Sequence, residues 1–192
     1  LDSLKRNVYK LDITKTDEQR PKEGSKEDKT LKEIYKFYDN KNRRFEYLAS
    51  FITMHIMKKS VYNYKKGRVT KGSGDFGIDF VGRMDIGAEF GSAKIVVLGQ
   101  AKCEKLNTTT NAMDIARLVA KLKRGWLGVY VTTSFFSEKV QREILEDKYP
   151  LLLINGKKLA EEINEIVHDD GYKSLNEFLV KIDSEYKGSI QY

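Results

Sequence analysis

The sequence predicts an α/β fold: a central mixed sheet with helices on both faces. Three observations lead there. The hydrophobic period is helical up to about residue 59 and strand-like after residue 67. From the second helix onward the elements run αβββαβαβα, an order that needs both antiparallel and parallel neighbours. Two short apolar runs, Ile95-Val96-Val97-Leu98 and Leu151-Leu152-Leu153-Ile154, suit central strands covered on both sides. At 192 residues and 40% hydrophobic, with two prolines, the chain can bury one sizeable core.

Residues 1–29 are polar and mixed in charge, with Pro21 and Gly24, and read as an arm, a linker or the tail of an upstream domain. Ser25 and Asp28 resemble a capping box, and Leu31, Ile34, Tyr35 and Tyr38 recur at helical spacing, so a helix is expected near 28–39. The division that follows is 1–42, an N-terminal arm or linker with a helix, and 43–192, the main domain. A second helix over about 43–59 carries Phe45, Leu48, Phe51, Ile52 and Ile56 on one face, with Glu46 just off that stripe. Strands are expected at 68–70, 78–81 and 94–98, separated by glycine-rich turns. Then come a helix from Met113 to Lys123, a strand at 128–133, a helix from Ser137 to Lys148, a strand at 151–154 and a helix from Lys157 to Val167. Residues 172–192 give one weaker helix and a polar end.

No apolar run approaches the eighteen or more residues that cross a bilayer, and the first residues lack the apolar stretch of a signal peptide. The expectation is a soluble, cytoplasmic protein with no membrane partner. A single cysteine, Cys103, excludes an intrachain disulfide and a multi-cysteine zinc site. The absence of an initiator Met suggests a fragment or a processed chain.

The net charge of +7 is unevenly placed. Residues 41–71 hold nine basic side chains, Lys65, Lys66, Arg68 and Lys71 among them, against one acid, Glu46. Such a run is either a solvated face or a surface for a polyanion such as DNA. Tyr62 and Tyr64 lie within it, to stack or to pack.

Gly72-Ser73-Gly74-Asp75-Phe76-Gly77 matches the dinucleotide fingerprint G-x-G-x-x-G, but its context fails. That fingerprint needs a helix directly after it, whereas Ile78-Asp79-Phe80-Val81 continues as a strand. The glycines are better read as a tight turn with positive φ that delivers Asp79 to the next strand.

Asp79 is followed by Gln100-Ala101-Lys102 at the end of the next strand. Alternation sends Gln100 and Lys102 to one face and Ala101 to the other. If the neighbouring strand presents Asp79 to that face, a carboxylate, an amide oxygen and an ammonium converge. Oxygen donors suit Mg²⁺, and a lysine beside them suits phosphoryl chemistry. The spacing alone is equally served by a turn aspartate and an exposed strand lysine.

The stretch GDFGIDFVGRMDIG…IVVLGQAK, from Gly74 to Lys102, resembles the catalytic signature of the Mrr-like branch of the PD-(D/E)xK restriction endonucleases, where Gln commonly replaces the acid before x-Lys. Phe45-Glu46-x-Leu48 is similar to the family's first-helix motif, and RGWLGVYVTTSFFS and LLLINGKKLAEEI resemble its later blocks in the same order. The resemblance runs over about residues 43–165. It implies a three-layer α/β/α restriction-endonuclease-like fold and a metal-dependent DNA endonuclease domain over 43–192. It also implies Mg²⁺, with Mn²⁺ as a substitute, held by Asp79, Gln100, the Ala101 carbonyl and Glu46, with Lys102 as the catalytic lysine. Glu46 then binds a second metal or orients water; otherwise it makes local pairs with Arg43 and Arg44. The neutral Gln100 lowers the charge of the site. Asp75 is better read as shaping the glycine turn, and Asp85 as part of the following hairpin.

The later blocks look most like cleavage domains of restriction enzymes that recognise methylated cytosine through a separate domain. Expected partners are therefore double-stranded DNA, a second copy of the chain (a homo-oligomer or a transient dimer on DNA) and a separate recognition domain or subunit. A catalytically silent DNA-binding or assembly module and a structure-selective repair or junction nuclease share the same signature. His55 and His168 read as packing or helix-end residues, Cys103 as an inert, partly buried thiol. Thr132, Thr133 and Ser134 are either phosphate donors or ordinary strand residues.

Overall fold

The computed structural model describes residues 13–60, 63–70, 77–87 and 91–189. Among them are six helices and five strands: α1 Lys26–Tyr38, α2 Asn42–Ser60, β1 Asn63–Val69, β2 Phe80–Ile86, β3 Ala93–Lys102, α3 Ala112–Val119, β4 Leu127–Thr132, α4 Glu138–Glu146, β5 Leu151–Ile154, α5 Gly156–Asp169 and α6 Leu175–Ser189. The strands lie in chain order, antiparallel from β1 to β3 and parallel from β3 to β5. The sheet is thus mixed, with β3 at its centre and at the change of direction. No helix among the described residues is long and apolar enough to cross a membrane.

Alternation along the strands makes two cores. On one face Val97 and Val129 meet Ile34 and Tyr38 of α1, Phe45, Leu48 and Ile52 of α2, Leu159 and Ile163 of α5, and Phe178 and Ile182 of α6. On the other, Leu98 and Tyr130 meet Ile115 and Leu118 of α3 and Val140 and Ile144 of α4. The expected three layers are present. At about 25 cal/mol per Å², each of these fully buried large side chains contributes ~1.5–3 kcal/mol.

The helix starts follow from side-chain caps. Ser25, Asn111, Ser137 and Asn155 each accept a backbone N–H from the first turn they precede. The Ser25–Asp28 pair is half a capping box: Asp28 N–H donates to Ser25 Oγ, while the Asp28 carboxylate accepts from Gly24 N–H and Lys32.

Several expectations are corrected. β1 begins at Asn63 rather than near 68, because this edge strand buries little besides Tyr64 and its charged residues conceal the strand pattern. β2 runs on to Ile86 rather than ending near 81, and Asp85 lies in the β2–β3 hairpin, as expected, opposite Lys94 and 2.8 Å from Arg83. β5 lies at the edge, not in the centre, and Leu151, Leu152 and Leu153 are only partly buried. α6 is a 15-residue helix that supplies Phe178, Leu179 and Ile182 to the core.

Residues 13–25 are laid on the body. Gln19 is 2% exposed; its Nε2 donates to the Phe136 carbonyl and its Oε1 accepts from Phe136 N–H, both at 2.9 Å. Gln141 holds Thr14 in the same way.

Candidate active site

Asp79 stands one residue before β2 and is pinned through its backbone on both sides. Its N–H donates to the Gly99 carbonyl at 2.9 Å, and its carbonyl accepts from Thr70 N–H at 2.8 Å. Gly77, two residues earlier, has φ +79°, as the turn reading requires. The rest of that glycine motif, with Asp75, lies outside the described residues. Phe80 pairs with Gly99, so the register carries Asp79 across from Gln100, on the same face of the sheet. A side chain at Gly99 could not be accommodated: a Cβ there would lie 2.0 Å from the buried Phe80 ring.

Gln100 pairs with Tyr130 and Lys102 with Thr132 in the parallel ladder, so both point to the α3 side, while Ala101 packs towards α2. The Asp79 carboxylate accepts from Ala101 N–H at 2.7 Å. The carbonyl of a strand residue leaves on the same edge as its N–H, so the Ala101 oxygen is also turned to the Asp79 side. Gln100 Oε1 is buried and accepts no hydrogen bond.

Glu46, half-buried on α2, completes the set from the opposite layer. Burial, then the nearby Asp79 carboxylate, push its carboxyl up to about 7, against the pull of Arg43. Burial likewise raises Asp79 to about 6, against the Ala101 N–H that lowers it. Two desolvated carboxylates that repel one another, beside an unsatisfied amide oxygen, form a donor set that a divalent cation fits.

Lys102, at the exposed end of β3, donates to Asp114 Oδ2, and its Nζ is 3.9 Å from Glu104 Oε1. Asp114 is a carboxylate on the inner face of α3, whose other oxygen accepts from Arg117 at 3.2 Å. Glu104 Oε2 accepts from Thr110 and Thr132 hydroxyls at 2.8 Å each. Burial first, then the carboxylates Glu104, Asp114 and Asp79, hold the Tyr130 phenol far above its ordinary range. Asp114, Glu104 and Tyr130 went unnoticed in the sequence. The available signals were an acid beside Ile115 and Leu118 on an amphipathic helix, and a glutamate two residues beyond Lys102.

The basic residues do not form one face. Lys65 is exposed and 4.0 Å from Asp85, and Arg68 is exposed. Lys66 turns inward, its Nζ 3.6 Å from the Tyr47 ring centroid, and burial lowers it to about 8. Arg44 pairs with Asp183. Lys71 and Tyr62 lie outside the described residues.

A second group, His55 with Glu162 and Glu165, brings its ligand atoms within 4.8 Å of one another. It sits between α2 and α5, roughly 13 Å along α2 from Glu46 at 1.5 Å per residue. Lys59 already bonds both carboxylates, at 2.7 and 2.6 Å, and Lys158 bonds Glu162 at 2.7 Å. Burial raises the Cys103 thiol to about 11, in keeping with an inert cysteine. Thr132 and Thr133 bond Glu104, and all of Thr132, Thr133 and Ser134 are buried.

The family model described as the restriction endonuclease Mrr catalytic domain matches residues 39–163. The chain belongs to this family. Two solved structures resemble this restriction-endonuclease domain. MspJI restriction endonuclease, in complex with a 27-mer oligonucleotide, is 41% identical with a TM-score of 0.86. The match covers 92% of this chain and 39% of that one. The DNA modification-dependent restriction endonuclease AspBHI is 20% identical with a TM-score of 0.75, over 93% of this chain and 44% of that one, a likeness of fold. The domain thus spans less than half the length of either relative. No curated protein matches it.

Proposed function

We propose that this domain is the DNA-cleaving part of a modification-dependent restriction enzyme that works in the cytoplasm and uses Mg²⁺, with Mn²⁺ as a substitute. In this reading residues 43–192 are the catalytic unit, and sequence or modification is read by a separate domain or subunit. The length of the solved relatives, with more than half of each chain lying outside the match, supports that division.

The observation that carries the reading is the buried, unsatisfied Gln100 Oε1 across from Asp79. A buried acceptor without a partner costs about 1–3 kcal/mol, and a cation would remove that penalty. Asp79, Gln100, the Ala101 carbonyl and Glu46 would hold the ion. When bound, it supplies Lewis-acid stabilisation of the phosphoryl group and acidifies water. The chain's own residues do the remainder. Lys102 offers a cation to the phosphate oxygens on the same face. Glu46, on the opposite layer and near Asp79, would bind a second ion or orient the attacking water. Of the basic residues expected to meet DNA, Lys65 and Arg68 are exposed to contact its backbone, with Lys71, outside the described residues, beside them in sequence; Lys66, turned inward over Tyr47, is not.

Gln100→Ala is the decisive test, with Asp79→Ala and Lys102→Ala beside it. Plasmid cleavage by Gln100→Ala should fall by about 10²–10³, as when one stabilising group is lost from a reaction centre, with DNA affinity kept. Gln100→Glu keeps the oxygen and should keep measurable activity. Wild-type cleavage by Gln100→Ala across a full Mg²⁺ titration would leave a catalytically silent DNA-binding module as the better reading.

A further inference from the structure

We infer that Asp114 is a positioning residue for Lys102, anchoring the ammonium so that it faces the phosphate; this rests on the reading of Asp79, Gln100 and Lys102 as the cleavage site. A lysine at a strand's exposed end has a long, rotamer-rich stem and would sample many positions. Here one of its three N–H donors is held by Asp114 Oδ2, which restricts that freedom. The other two remain for water and phosphate.

The anchor is itself fixed. Asp114 is 6% exposed, an acid among the inward-facing residues Ile115 and Leu118. The start of α3 is capped by Asn111, which accepts from Met113 N–H at 3.0 Å. Just before it, Thr110 N–H donates to the Phe135 carbonyl beyond β4 at 2.9 Å. Arg117 holds Asp114 Oδ1 at 3.2 Å, so Oδ2 is left for the lysine. Glu104 is the wrong partner: its nearer oxygen is 3.9 Å from Nζ, beyond hydrogen-bond reach, and its other oxygen is bonded to two threonine hydroxyls. A nearly buried carboxylate, kept on the inner face of a helix and aimed at the one lysine of the candidate site, is poorly explained as a surface ion pair, which contributes little.

The test is single-turnover cleavage of plasmid by the full-length protein carrying Asp114→Asn or Asp114→Glu, with DNA affinity and melting temperature measured on the same samples. A misplacement of about 1 Å at a reaction centre costs on the order of 100-fold. Asp114→Asn, which loses the charge-assisted bond but not the shape, should lose about that much in rate while its Kd for DNA is kept. Asp114→Glu, which restores a carboxylate on a longer stem, should recover part of it. A purely structural role would instead move the melting temperature and leave the rate of the folded protein unchanged. Asp114→Asn cleaving at the wild-type rate would overturn the proposal, as would a rate loss explained by weaker DNA binding. If Asp114→Asn does not stay folded, Asp114→Ser, which also removes the carboxylate, decides by the same criteria. Asp79→Ala separates the two levels: inactive Asp79→Ala with fully active Asp114→Asn removes only the positioning role, whereas active Asp79→Ala removes the site and this role with it.

Discussion

Asp79 and Glu46 occupy positions that resist their charge, and this has a consequence for stability. Their folded-state values of about 6 and about 7 lie above the ordinary 3.8 and 4.5. Between roughly pH 4 and 7 the folded chain therefore binds more protons than the unfolded chain. The stability these groups contribute is full below the unfolded values and is lost as pH rises through the folded ones. In the presence of a chelator, wild-type protein should melt at a lower temperature at pH 8 than at pH 5. The double variant Asp79→Asn, Glu46→Gln should flatten that fall and melt higher than wild type at pH 8. Each kcal/mol relieved raises Tm by about 2–4 °C in a chain of this size. The same variant should lose metal-dependent cleavage. An equal fall of melting temperature with pH in both proteins would show that burial does not hold these two carboxyls above their ordinary values.

At the scale of elements, β1 separates its basic residues into two roles. Tyr64 and Lys66 share the face towards α2, where Lys66 lies over Tyr47, while Lys65 pairs with Arg83 on the opposite face. Lys65 and Arg68 are the two exposed to meet a polyanion. Reversing both to Glu should weaken binding to every DNA sequence and reduce the slope of log K against log salt by close to 2, about 0.9 for each phosphate that is no longer neutralised. Titrating duplex binding at several salt concentrations checks this; an unchanged slope would make β1 a merely solvated edge. Lys66→Glu is different in kind, since it places an acid against the aromatic rings and should chiefly destabilise the fold.

For the whole molecule, the proposed function has one site hydrolyse one strand, so that cutting both strands would require two copies of the domain. With dilute full-length enzyme the rate of double-strand cutting should rise more steeply than linearly with concentration, while nicking stays linear. Strictly first-order double cutting by a protein shown to be monomeric on DNA would contradict a requirement for two copies. The candidate site also draws on the whole molecule: Glu46 comes from one helical layer, Asp79 and Gln100 from the sheet, and Asp114 from the other layer.

Most of the architecture and the strand-borne part of the candidate site were legible in the sequence, because both depend on local periodicity. Alternation alone sends Gln100 and Lys102 to one face, and the positive φ of Gly77 before Asp79 could be read from residue type. The apolar run at 95–98 marked the central strand correctly. The same reasoning misplaced 151–154, because an apolar strand at the edge, half covered by helices, has the same pattern as one in the centre. It also overlooked the start of β1, where exposed lysines hide a strand. Only the tertiary structure decided that Glu46 feels Asp79, that Lys66 turns inward and that Asp114 holds Lys102. Those are interactions between elements distant in sequence, whose effects depend on burial and separation, and no local pattern encodes either quantity.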